Sequence, residues 1–297
     1  MLKNFDYNSI ITGSSMTENF RVSWFENANK DEKVIKVPYS GGYSKNFDIV
    51  FNLAFNTHDI KTIYYGLDMF KEFFSRESDI TRFPLPEYLY DNNKLNDVKY
   101  IFNKDIFCDY TIYNIKNFVK GIKVNNDNAY AWNSLYKYGL TEVLKTYARP
   151  KIQQNDMDSN LYMPNYDENM KNITKYIQNY PNTKFKIFFP PYSILQWDTA
   201  ILNGELNKQI AITKRVMEDL LQYDNVELYY FQNNEEIITN FDNYKDYSHY
   251  KEEINYYIFE CMCKTGENRI TKENYIEEIN HMYEIATSYD YDKIFKK

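Results

Sequence analysis

The stretch SIITGSSMTENF, residues 9–20, decides how this chain is read. Ser9-Ile10-Ile11-Thr12 is an apolar, β-branched run of strand type that stops at Gly13. Two small hydroxyls, Ser14 and Ser15, follow, and a helix is expected over Thr17 to Phe25. Two explanations compete for the hydroxyls. SMTE at 15–18 has the form of a capping box, in which a serine and the glutamate three residues on satisfy the first amides of a helix. Alternatively, a glycine turn between a strand and a helix holds a nucleophilic serine at the end of a sheet.

Working outward, strand and helix patterns alternate. KVIKVPYS (33–40) reads as a second strand ending at Gly41-Gly42. In residues 43–58, Phe47, Val50, Phe51, Ala54 and Phe55 recur at helical spacing. IKTIYYG (60–66) is a third strand. TKFKIFFPPYS (183–193), stopped by Pro190-Pro191, a helix near 204–222, and NVELYYF (225–231) resume the pattern. Helical segments at 248–264 and 272–288 close the chain. Alternation of this kind predicts an α/β fold: a parallel sheet of about five strands between two helical layers. Residues from about 70 to 180 break the pattern. They hold helix-like pieces (111–122 and 134–148) between polar loops at 91–97 and 153–160, and read as a largely helical insertion within one domain, 1–297.

The composition narrows the function. At 297 residues, 43% hydrophobic and 26% charged, the chain is of globular type. A net charge of -7 argues against nucleic acid as a partner and against docking on anionic lipid through a basic patch. The 31 tyrosines and 20 phenylalanines fit either ring stacking on sugars or a nucleotide bias in the coding sequence, and the second explanation is the simpler. Cys108, Cys261 and Cys263 form no CxxC pair and read as buried apolar side chains. His58, His249 and His281 form no HxxxH or HExxH, so no metal and no cofactor are expected. No apolar run of about 18 residues spans a membrane, and the start, MLKNFDYNSIITG, is not a signal peptide. Either the protein is cytoplasmic or a leading membrane anchor is absent from this chain.

Ligand sites in open α/β sheets form at the carboxyl ends of the strands. There the sequence places Gly13-Ser14-Ser15, Ser40-Gly41-Gly42 and Gly66-Leu67-Asp68, with Asp246 and His249 following the last strand. Acyl transfer needs a nucleophile, a base, a group that orients the base, and donors for the oxyanion. Ser15, with Ser14 as rival, His249 and Asp246 are candidates for the first three roles. The amides of Ser15 and of Gly42, or equally Gly41, are candidates for the fourth. Asp246 also suits a helix N-cap, and Ser248 competes for that position. Tyr192, Ser193 and Trp197, after the fourth strand, are candidates to line the substrate cleft, or else are turn and core residues.

TGSSMT (12–17), the glycines of SGGYS (40–44), YGLD (65–68) and DYSH (246–249) together resemble the four blocks of the SGNH, or GDSL-like, hydrolases, in the family's order. Within that superfamily the chain looks most like the cell-surface branch that includes D-alanyl-transfer and alginate-acetylation domains. The resemblance implies a three-layer, flavodoxin-like α/β/α fold. It also implies a Ser15–His249–Asp246 triad and an esterase or O-acyltransferase acting on an acylated glycan or envelope polymer. An extracellular location and a membrane acyl-transfer partner follow from the same branch. Two positions depart from the pattern: Ser14 stands where an aspartate is frequent, and Asp68 where an oxyanion-donating asparagine is usual. An ionised carboxylate cannot donate, so Asp68 is protonated, turned away, or the hole lacks that donor. The second function compatible with Asp68 is a non-catalytic binding or assembly module on the same fold.

Overall fold

Five parallel strands carry the structure: β1 (Ser9–Gly13), β2 (Val34–Pro38), β3 (Thr62–Gly66), β4 (Lys184–Phe189) and β5 (Val226–Tyr230). The computed structural model describes residues 2–68, 93, 95–96, 98–103, 112–120, 126–152, 157–158 and 163–296. Cys108 and most of the polar loops at 91–97 and 153–160 lie outside them. A two-residue strand, β6 (Arg269–Ile270), pairs antiparallel with β5 and completes the order β2-β1-β3-β4-β5-β6. The five parallel strands match the sequence expectation; β6 is too short to leave a periodic signal.

Alternation along the central strands makes two cores, one on each face of the sheet. Ile10, Ile63, Tyr65, Ile187, Phe189, Leu228 and Tyr230 face one way. They pack against α2 (Ser44–Phe55), a long helix at Met163–Asn179, and helices at Ile194–Leu202, Leu206–Leu220 and Tyr275–Ser288. Ile11, Tyr64, Phe188 and Tyr229 face the other way, onto α1 (Val22–Ala28), a helix at Leu140–Thr146, and one at Glu252–Glu260. The result is a three-layer α/β/α fold.

Three sequence expectations need correction. The helix expected over Thr17–Phe25 is a 3-10 turn at Ser15–Thr17 followed by α1 from Val22. Tertiary packing overrides the pattern here, because Phe20 turns into the core between the two. The helix at Ile194–Leu202 starts directly after Pro190-Pro191, where the sequence suggested only a turn. The break read as an insertion to about residue 180 ends earlier. Met163–Asn179 is a core helix, tied to α2 by a Tyr176 hydroxyl donating to Asp48 Oδ1 at 2.7 Å and by Lys175 pairing with the same carboxylate.

The junction of β1 and β3 decides where the chain goes next. Gly13 sits opposite Gly66 in register and has φ +140°, a conformation L side chains rarely adopt. A Cβ on Gly13 would lie 2.7 Å from the Gly66 carbonyl oxygen and 2.7 Å from Thr17 Cγ2. Gly13→Ala therefore combines backbone strain with a clash against backbone, and is expected to lower stability by about 2–4 kcal/mol. Chemical denaturation of the variant checks this; a loss below about 1 kcal/mol would mean the junction relaxes freely.

Candidate active site

The turn after β1 gives its two serines separate work. Ser14 is 1% exposed, and its hydroxyl accepts from the Met16 amide at 3.4 Å, a long cap. The Ser14 carbonyl accepts from the Thr17 amide at 3.0 Å and from the Thr17 hydroxyl at 2.8 Å. The cap is thus Ser14 rather than Ser15, and no capping box joins Ser15 to Glu18; Glu18 instead accepts from the Ser40 hydroxyl. The Met16 carbonyl accepts from Tyr250 Oη at 3.1 Å and from Asn255 Nδ2 at 2.9 Å. With the turn held from both sides, Ser15 Oγ lies 2.7 Å from His249 Nε2.

His249 stands on a loop closed at its base by the Tyr244–Tyr250 bridge. Asp246 Oδ1 accepts from the amides of Ser248 (2.8 Å) and His249 (2.7 Å), as a helix cap would, yet the next helix starts only at Glu252. Oδ2 faces His249 Nδ1 at 2.8 Å. A carboxylate only accepts, so Nδ1 carries the proton, and Nε2 is left to accept from the Ser15 hydroxyl. Burial by itself would push the Asp246 carboxyl up. The hydrogen bond and charge of His249, with the two amides, outweigh burial and hold it at about 2.

The loop is pinned from β4 and from the inserted region. Tyr244 Oη donates to the Pro191 carbonyl at 2.8 Å, Ser193 Oγ to the Tyr247 carbonyl at 2.5 Å, and the Gly139 amide to the Tyr244 carbonyl at 3.0 Å. A further contact comes from Trp132, whose ring meets the His249 ring edge to face, with centroids 5.7 Å apart. Asn19, four residues past Ser15, accepts through Oδ1 from the amides of Trp132 and Asn133, at 3.0 and 3.1 Å.

The structure therefore brings Ser15, His249 and Asp246 together. The Gly42 amide donates to the Tyr39 carbonyl at 2.8 Å, closing a turn, so it is not presented to an oxyanion. Gly41 supplies the positive φ of that turn, +60°. Asp68 is 1% exposed at the end of β3, and its charge adds to burial in raising the Tyr250 phenol. Among the described residues no acceptor takes the Ser15 amide. Ser193 is fully buried and holds the histidine loop rather than lining a cleft. Trp197 is fully buried in the core beneath its helix. Tyr192 does line a pocket of ≈ 250 Å³ beside the histidine, with Thr146, Gln196, Asp246, Tyr247, Ser248 and His249.

Asn19, Trp132 and the loop contacts of Ser193 and Gly139 carry no local sequence signal, since each acts on residues far along the chain. His58 ends up far from this work. Its ring is stacked on Tyr7 and bonded to the Phe5 carbonyl, just past the end of α2. Among the described residues no group of three or more His, Cys, Asp or Glu side chains is placed to hold a metal ion, and no helix is long and apolar enough to cross a membrane. Comparison of the chain with family models, with curated proteins and with solved structures finds no match to any of them.

The Asp246 carboxyl carries a pH signature. Its folded value of about 2 lies below the unfolded value near 3.9, so its contribution is complete above about pH 4 and is lost as pH falls towards 2. The shift corresponds to about 2.5 kcal/mol. Denaturant midpoints measured between pH 5 and pH 2 should show the wild type losing about 2 kcal/mol more than Asp246→Asn; parallel curves would contradict the assignment.

Proposed function

We propose that the protein is a serine-dependent esterase or O-acyltransferase of SGNH type. The observation that carries this reading is the Ser15–His249–Asp246 relay: a 2.7 Å contact between Ser15 and His249, 234 residues apart in sequence, continued by a 2.8 Å contact from His249 to Asp246. In the proposed reaction Ser15 Oγ attacks an ester carbonyl while His249 Nε2 takes its proton. Asp246 stabilises the imidazolium and keeps Nδ1 turned towards itself. The Ser15 amide faces the developing oxyanion. His249 then returns the proton to the departing alcohol, leaving an acyl group on Ser15. Water, or a sugar hydroxyl deprotonated by His249, takes that acyl group in the second half.

By resemblance, the substrate is an O-acylated glycan or cell-envelope polymer, and the place of action is the cell surface, beside a membrane acyl-transfer partner. The hydroxyl and amide groups of Thr146, Gln196 and Ser248, the Asp246 carboxylate and the rings of Tyr192 and Tyr247 around the pocket suit a sugar, whose hydroxyls both donate and accept. One observation favours a second reading. Asp68 stands buried where the family pattern has a donor, which suits a non-catalytic binding or assembly module.

Ser15→Ala should lower kcat/KM for p-nitrophenyl acetate by at least about 10³-fold, while a fluorophosphonate probe labels the wild type at Ser15 only. Unchanged turnover in the variant sinks the assignment. A folded wild type that neither turns over ester nor takes the probe makes the module the better reading.

A further inference from the structure

Lys245 lies beside the relay, and the chemistry above does not use it. Its Nζ is 3.7 Å from Asp246 Oδ2, the same oxygen that accepts from His249 Nδ1 at 2.8 Å. The ammonium also sits over two rings from the inserted region, 4.3 Å from the centre of Trp132 and 4.0 Å from that of Tyr136. Trp132 is the ring whose edge-to-face contact fixes His249. These rings are themselves anchored. Asn19 holds the amides of Trp132 and Asn133. Asn133 Oδ1 accepts from the Glu252 amide at 2.8 Å and from Tyr138 Oη at 2.6 Å. One cation thus joins the histidine loop, the inserted region and, through Asn19, the nucleophile turn.

We propose that Lys245 is a positioning residue through which the inserted region sets both the orientation and the proton affinity of His249. The inference rests on the reading of Ser15, His249 and Asp246 as a catalytic relay. Two aromatic faces hold the ammonium in place, each attracting it through the ring quadrupole. Held there, it competes with the imidazole for one carboxylate oxygen. A fixed positive charge beside Asp246 opposes a second positive charge on the imidazole, and neutral His249 is the form that accepts the serine proton. The two contacts together place Nζ no more than about 6.5 Å from His249 Nδ1. At an effective dielectric between protein and water, two charges at that distance still interact appreciably.

Other titratable groups face this region. Glu252, paired with Arg21, and Glu253 begin the following helix, and Tyr138 comes from the inserted region. Asp68 lies behind Tyr250, and Tyr192 and Tyr247 stand on the pocket side. None of them changes when Lys245 alone is replaced, so a comparison of variants isolates its charge.

The test follows the His249 Cε1 proton by NMR through a pH titration of the wild type, Lys245→Met and Lys245→Arg. Met keeps the alkyl stem and removes the charge; Arg keeps the charge and the ring stacking. The His249 midpoint should rise by roughly half to one pH unit in Lys245→Met and return to the wild-type value in Lys245→Arg. The acid limb of kcat/KM for p-nitrophenyl acetate should move with it. Lys245→Gln serves in place of Met if that variant does not fold. A midpoint that stays or falls when the charge is removed overturns the proposal, even in a fully active enzyme. A wild type without esterase activity overturns the relay as catalyst, and the NMR midpoint then still decides whether Lys245 governs His249.

Discussion

The close approach of Gly13 and Gly66 is the constraint on which the site depends. Side chains elsewhere in β1 and β3 alternate to the two faces, but at the carboxyl end both strands give up their Cβ atoms. Thr17 Cγ2 occupies the space, within 2.7 Å of where either Cβ would stand. That permits a tight turn rather than a regular helix directly after β1. The turn in turn keeps Ser15 at the edge of the sheet. A helix beginning at once, as the hydrophobic pattern suggests, would carry Phe20 off its place in the core. Apolar burial of Phe20 and the missing Cβ atoms therefore act together to set the position of one hydroxyl.

The other half of the relay is fixed by polar rather than apolar contacts. Asp246 is held by two backbone amides, and the loop around it by hydrogen bonds to Pro191, Ser193 and Gly139. Each joins an otherwise orphaned buried group to a partner, and loss of one partner leaves the other unsatisfied at about 1–3 kcal/mol. Such a loop is costly to distort, and its rigidity keeps His249 within hydrogen-bond reach of Ser15.

Much of this was legible in the sequence, and the boundary between what was and was not has a physical cause. The five parallel strands follow from periodicity and from glycine and proline punctuation, which are local. Ser15, Asp246 and His249 were legible because they fall at strand ends in a recognisable order. Gly42 was misassigned because sequence shows that a glycine permits close approach, not where its amide points; the amide closes a turn on Tyr39. Ser193 and Trp197 were left between cleft and core because a polar and an aromatic residue near a strand end suit either. Their burial is decided by a helix starting directly after two prolines. Asn19 and Trp132 act across more than 100 residues, and no short-range pattern encodes that.

The inserted region is therefore better understood as part of the site than as an appendage to the fold. A second lysine leads to the same conclusion. Lys36, on β2, is 3% exposed, and burial pushes its amine down to about 8 despite the nearby charges of Asp127 and Glu18. It is retained as a cation because its three donors meet the carbonyls of Glu18 (2.6 Å), Phe20 (2.7 Å) and Asp127 (3.3 Å). Two of those carbonyls belong to the segment leaving the Ser15 turn, and the third to the inserted region. Asp127 also caps α1 from outside, accepting from the Ser23 amide at 2.8 Å where Arg21 offers no side-chain cap. Removing the inserted region would thus take a cap from a helix end, one of three acceptors from a buried amine, and a ring from one face of His249. The geometry of Ser15, His249 and Asp246 and the fold of the 126–148 segment are for that reason tied to one another.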